Sequence, residues 1–344
     1  MTRQLITLRT IKSINPIPDA DSIEVLTIDG WKVVARKGEF AVGERVFYFE
    51  VDCFLPKADP RFEFLMKSGV RTFEENEGHV LRTVRLRKQI SQGLVQKLSV
   101  FPEIVNPVED VDYSGAINVK KWEPNIDPSL AGQVKGAFPH FIMKTDQERC
   151  QNLETEIFTD NANSTFEVSL KLDGMSVTFY SHNGDTGVCT RNLELKINEE
   201  NAQNTLVRLF VDSGLQEKIG TFGNIAIQGE LMGPKIQNNR EKFTKPTFFV
   251  FDIQDLDSRT HVSTLRRNEI LNELAASGII ISHVPILHDK ICLSELSINT
   301  VDDLLNFAEG PSITNPVREG LVFKRSDGEF SFKAISNKFL LKAE

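Results

Sequence analysis

The 344-residue sequence has no apolar run long enough to cross a bilayer, and its first stretch, MTRQLITLRTIKSI, lacks the uninterrupted apolar core of a signal peptide. Both absences lead to the expectation of a soluble, intracellular protein that does not engage a membrane. Cysteine is scarce. Cys53, Cys150, Cys189 and Cys292 lie far apart and form no CxxC pair, and no histidine stands at zinc-ligand spacing from them. A disulfide framework and a structural zinc module are therefore not expected. Positive charge is not in excess either: 40 Lys and Arg face 48 Asp and Glu, so the chain does not coat nucleic acid by overall charge. A local basic groove stays open to it, because phosphate binding depends on where the cations sit. No internal repeat stands out, and nothing demands more than a monomer.

What is present is length enough for two domains. Residues 1–100 read as short strands cut by turn signals. Residues 5–14 are apolar and β-branched, Asn15-Pro16-Ile17-Pro18-Asp19-Ala20-Asp21 breaks them, and 23–28, 31–35, 45–51, 79–88 and 93–98 follow. Five or six such strands predict a small β-barrel. Residues 81–88, LRTVRLRK, are the most basic stretch; as a strand they put Arg85 and Arg87 on one face, either to track a phosphodiester backbone or to guard an edge against aggregation. Residues 101–137, with Phe101-Pro102, Asn106-Pro107, an acidic patch at 109–112 and Pro124–Pro128, read as a surface connector. Residues 138–344 form the second domain. There Thr145, with Glu148 three positions on, is placed to start a short helix. Helical spacing recurs at 201–213, 264–276 and 300–308 among strands that do not alternate strictly with helices, which gives an α+β fold class.

The second domain centres on residues 166–180, FEVSLKLDGMSVTFY, read as strand, tight turn, strand. A lysine at such a turn, beside a carboxylate and a glycine, is placed to meet a phosphate; the alternative is a surface hairpin turned by Asp-Gly. Four further charged clusters follow: Thr190-Arg191-Asn192, Gly229-Glu230, Phe251-Asp252, and Arg318-Glu319-Gly320-Leu321-Val322-Phe323-Lys324 leading to Lys333. Singly each is a charged strand end. Together they supply a lysine nucleophile, acids for a divalent metal, cations for phosphates and an aromatic face for a base.

This ordered set resembles motifs I, Ia, III, IIIa, IV and V of the covalent nucleotidyltransferases, the polynucleotide ligases and mRNA capping enzymes. It is most similar to ATP-dependent RNA ligases with an oligonucleotide-binding (OB) barrel ahead of the transferase domain. Only residues 334–344 follow Lys333, so an N-terminal OB-type barrel, followed by a nucleotidyltransferase domain of antiparallel sheets with flanking helices, is expected. The resemblance implies that Lys171 takes AMP from ATP, that the AMP passes to an RNA 5′-phosphate, and that a 3′-hydroxyl then closes the strand, with a nick in duplex as the expected substrate. It further implies nucleotide contacts from Leu170, Asp173, Gly174, Arg191, Asn192, Glu230, Phe251, Lys324 and Lys333. Mg²⁺ or Mn²⁺ would be held by Glu319 and Asp252; Arg149 and Lys338 are further candidate site residues, Lys338 as a phosphate contact, and Arg85 and Arg87 would lie on RNA. Where related ligases carry a second motif V lysine, Ile335 stands here, leaving Lys338 or Lys342 to compensate. Two other readings are a GTP-dependent capping guanylyltransferase and a non-catalytic RNA-binding protein of the same fold.

Overall fold

Alternating apolar residues, rich in Val, Ile and Phe, drive strand formation over most of the chain. The computed structural model describes residues 4–123 and 132–342; Pro124–Pro128 lie outside the described residues. These divide into two compact units, 4–123 with 340–342, and 132–339.

In the first unit a three-stranded sheet orders Ile6–Thr10, Arg45–Phe49 and Leu94–Lys97. A second contains Ser13–Pro16, Ile23–Ile28 and Trp31–Arg36. The strand expected over 5–14 is thus split, because Ile11 N donates to Glu44 O while Lys12 N donates to Thr27 O, moving the chain from one sheet to the other. A four-stranded sheet runs Lys120–Lys121, Cys53–Pro56, Asn76–Val80, Arg71–Phe73. Phe47, Phe49, Phe62 and Phe101 fill the core between these elements. Residues 101–122, expected as a connector, send Phe101, Ile117 and Val119 into that core. From the acidic patch, the Asp112 carboxylate accepts from the N–H groups of Leu5, Ile6 and Ser114. The basic stretch forms a hairpin, Thr83–Leu86 with Gln89–Gln92. Its strand stops at Leu86, and Arg87 and Lys88 turn it at φ 47° and 67°, so Arg85 and Arg87 do not share a strand face as expected.

The second unit packs two sheets. One orders Val134–Ala137, Leu193–Leu195, Asp185–Cys189, Met175–His182, Ile225–Met232, Thr247–Asp255 and Thr260–His261, with Ser282–His283 alongside Thr247–Asp255. The other orders Glu148–Arg149, Ser331–Ile335, Gly320–Arg325, Thr165–Lys171 and Ile286–Cys292. Residues 166–180 are therefore no hairpin. Thr165–Lys171 lies in the five-stranded sheet and Met175–His182 in the larger one, and the turn between them crosses from sheet to sheet.

Helix Thr264–Ala276 forms as the spacing predicts, and Val301–Phe307 starts behind a Thr300 cap with a reciprocal bond from Asp303. The helix expected over 201–213 narrows to Thr205–Val211, since Asn204 caps it by accepting from Leu206 N. No helix starts at Thr145. Its hydroxyl lies 3.2 Å from that of Ser176, and the chain runs extended into Glu148–Arg149.

Candidate active site

Side chains alternate across a strand, and the five-stranded sheet uses this to separate structure from chemistry. Phe166, Val168, Leu170, Leu321, Phe323, Phe332 and Ala334 occupy one face and form the apolar core beneath it. The pairings Lys171↔Gly320↔Ile335 and Glu167↔Lys324, with Val322↔Lys333, put Lys171, Lys324 and Lys333 on the other face. Leu170 consequently sits in the core, and its N–H donates to Pro285 O. Arg149 pairs in parallel with Lys333 and is buried beside it.

Lys171 Nζ donates to Glu319 Oε1 at 2.7 Å. Burial favours the neutral amine, but the carboxylates of Glu319, Glu230 and Asp173 outweigh it and hold the ammonium above its ordinary pKa. Glu230 comes from the larger sheet, and its Oε1 accepts from Gly174 N at 2.8 Å. Burial pushes the Glu230 carboxyl up to about 7, with the Lys171 ammonium opposing the rise and Glu319 adding to it. Asp173 is likewise raised, by burial and then by Glu319, although Arg240 Nε stands 3.9 Å away. Gly174 has a steric reason to be glycine: a Cβ there would lie 2.4 Å from Leu231 O and 2.6 Å from Met232 Sδ.

The Phe251-Asp252 pair sits at a register shift. Gln228 pairs with Asp252 but Gly229 with Val250, so Phe251 is the extra residue of a β-bulge. At the bulge Phe251 is partly buried, packed against the apolar cluster, and Asp252 reaches Lys324, at 2.9 Å. Lys324 also donates to Phe251 O at 2.8 Å, and His261 Nδ1 lies 3.1 Å from the other Asp252 oxygen.

A divalent metal can be tested against these donors. Among the described residues no group of three or more His, Cys, Asp or Glu side chains is gathered as a metal cage. Mg²⁺ that keeps several waters needs only one or two carboxylates. Glu319 fits, because its Oε2 is buried and has no hydrogen-bond partner, and Asp173 is close by. Asp252 is engaged otherwise, with Lys324 Nζ 2.9 Å from one oxygen and His261 Nδ1 3.1 Å from the other.

A family model described as RNA ligase matches residues 164–337, which is half of the chain. The chain belongs to the RNA ligase family. A model described as an OB-fold domain matches residues 5–98, so this RNA ligase carries an OB fold in its first unit. Among solved structures it is similar to Naegleria gruberi RNA ligase. A mutant of that protein without ligand is 42% identical, with a TM-score of 0.90 over 98% of this chain and 97% of the other. The form with pyrophosphate is 42% identical, with a TM-score of 0.89 over 98% of each chain. Another mutant, with ATP and Mn, is 42% identical, with a TM-score of 0.89 over 99% of this chain and 98% of the other. No match is found among curated proteins.

In this RNA ligase the residues around Lys171 and Glu319 gather as the motif order implied, whereas others are held elsewhere. Lys338 is exposed, its backbone N–H donating to Glu309 Oε1 and its Nζ lying 3.6 Å from Glu309 Oε2. Asn192 accepts from Lys144 Nζ at 2.9 Å. Arg191 donates to both oxygens of Asp146, at 3.1 and 2.8 Å, and Lys333 Nζ lies 4.0 Å from the same carboxylate. Asp146 was not singled out from the sequence, and neither were Arg240 or Gln237, whose side chain donates to Gly174 O.

Proposed function

We propose that this protein is an ATP-dependent RNA ligase that joins 3′-hydroxyl and 5′-phosphate RNA ends, at nicks in duplex, through a lysyl-adenylate and then an RNA-adenylate. The observation that carries this is the Lys171 amine in a three-carboxylate setting, 2.7 Å from Glu319. Neutral Lys171 attacks the α-phosphorus of ATP, forming the N–P bond as the bond to pyrophosphate breaks, and the amine proton leaves to solvent or to a neighbouring carboxylate. Glu319 and Asp173 would hold Mg²⁺ or Mn²⁺, which supplies charge neutralisation at the phosphates when bound. Drawing Glu319 toward a metal would also weaken its hold on the Lys171 proton. Lys333 and Arg149, on the same side of the sheet as Lys171, are the cations for phosphate oxygens. Phe251 offers an aromatic face for adenine, and Arg191 and Glu230 would contact the ribose. Lys324 acts through Asp252 and Phe251, not on phosphate directly. Arg85 is the first-unit candidate for the RNA backbone. Four free thiols among the described residues accord with an intracellular setting.

Two experiments test this reading. Because the carboxylates raise the Lys171 pKa and only the neutral amine attacks, lysine adenylylation at fixed ATP and Mg²⁺ should accelerate about tenfold per pH unit below that pKa. A flat rate from about pH 6 to 9 would contradict the assignment. Matched nicked duplexes with ribose or deoxyribose at the 3′-hydroxyl end test the substrate. Sealing of the ribose-ended nick is expected; lysine adenylation without sealing would refute the RNA-joining step while sparing the chemistry at Lys171.

A further inference from the structure

The outward face of the four-stranded sheet in the first unit has no part in the lysine chemistry. Its inward face is set by Cys53 and Leu55, which point into the core. Phe54 therefore points outward, together with Lys120 and Val80, which pair with it on either side. Two residues further along those chains, on the same side, come Trp122 and Arg82. Trp122 is held by its backbone N–H, which donates to Asp52 O at 2.8 Å. Arg71 pairs with Gly78 on the next strand, and the Phe54 ring covers that glycine, 2.5 Å from where a Cβ would stand.

The guanidinium carbons of Arg71 and Arg82 lie 5.6 and 5.8 Å from the centre of the Trp122 ring. Nearby, Lys120 is neutralised by Glu74 at 2.5 Å and Lys57 by Glu77 at 2.6 Å. Among the described residues neither arginine has a carboxylate partner. Two like charges held around one indole repel each other unless an anion arrives. Beside them Phe54, Phe73, Lys57, Asn76, Asn118 and Lys120 line a concavity of about 560 Å³. An aromatic face between cations is what an unpaired nucleotide requires, the base stacking and the flanking phosphates pairing.

We infer that this face binds an unpaired nucleotide in a single-stranded part of the RNA outside the nicked duplex, its base on Trp122 and its flanking phosphates on Arg71 and Arg82. The inference rests on the RNA-ligase reading and concerns a different element from the Arg85 hairpin.

The chain has two tryptophans, and Trp31 is fully buried, so quenching of tryptophan emission by RNA reports on Trp122. A single-stranded RNA of about twelve nucleotides, within the range such surfaces accommodate, should quench the wild type. By anisotropy of labelled RNA, Trp122→Ala should bind about tenfold more weakly and Trp122→Phe much less so. The double variant Arg71→Ala with Arg82→Ala should lower the salt dependence of binding by about one to two in log–log slope. Adenylylation of Lys171 without RNA should be unchanged in all of them. Equal quenching by heparin, which has no bases, would mean a plain polyanion patch and overturn the stacking site. So would binding within about twofold of wild type in the Trp122→Ala variant and the arginine pair together with an unchanged salt slope. If the wild type forms no lysyl-adenylate at all, it is the ligase reading that fails.

Discussion

Lys171→Ala is expected to carry no label after incubation with α-labelled ATP and Mg²⁺, under conditions that label the wild type. The loss should be on the order of 10⁶-fold, the scale seen when a nucleophile itself is deleted. No other lysine can take over at that position. Lys333 shares the sheet face but is placed two strands away in register, and Lys324 is buried against Asp252 and the Phe251 carbonyl. The variant should keep its thermal transition, because Lys171 is a half-buried side chain whose removal leaves the underlying Leu170 and Phe166 packing untouched. A folded Lys171→Ala protein that still acquired label would place the covalent chemistry on another residue.

Asp252→Asn is expected to act on stability. Asp252 is 2% exposed and Lys324 5% exposed, and the amide would remove the negative charge 2.9 Å from the buried Lys324 ammonium, leaving neutral oxygens, its own and Phe251 O, as close acceptors. Breaking one side of such a buried pair costs about 3–5 kcal/mol, a fall in Tm of roughly 10 °C for a unit of this size. Burial alone would raise the Asp252 carboxyl pKa, but Lys324 and His261 overcome it and hold the group below the ordinary carboxylate range. The stability from this depressed pKa is present above the unfolded value of about 3.9 and is lost as pH falls through the folded one, so the wild-type advantage should fade only in strong acid. Differential scanning calorimetry of the two proteins checks this. The Mg²⁺ concentration for half-maximal lysine adenylylation should stay constant in Asp252→Asn and rise in Glu319→Gln. An unchanged Tm with a raised Mg²⁺ requirement in Asp252→Asn would return Asp252 to the metal.

The centre of the site was legible because its chemistry is written in local order. Lys171, Asp173 and Gly174 lie within four residues, and Glu230 and Glu319 each mark a strand beside a glycine. The counter-ions were not legible. Asp146 sits in a loop, and only folding brings it to Arg191 and Lys333, far along the chain. At Lys171 the surface hairpin stayed open as the alternative, because Asp-Gly looks the same whether the next strand returns to its predecessor or leaves for another sheet. Likewise the charges of 81–88 were visible, but the positive φ of Arg87 and Lys88 was not, since neither residue type favours it. Residues 101–122 read as loop because Phe101, Ile117 and Val119 are too widely spaced to show a period, although all three are buried.

The division of the five-stranded sheet into an apolar and a charged face makes catalytic competence a test of strand alignment. A slip of one residue in Thr165–Lys171 would carry Lys171 into the Phe323–Phe332 packing and bring Leu170 out toward Glu319. The energetic penalty for burying the ammonium there is far larger than that for a shifted hydrogen-bond ladder. The Lys171 amine thus acts as a gauge of register: a molecule that aligns this strand wrongly is expelled from the folded population, and those that remain present the lysine on the charged face beside Glu319.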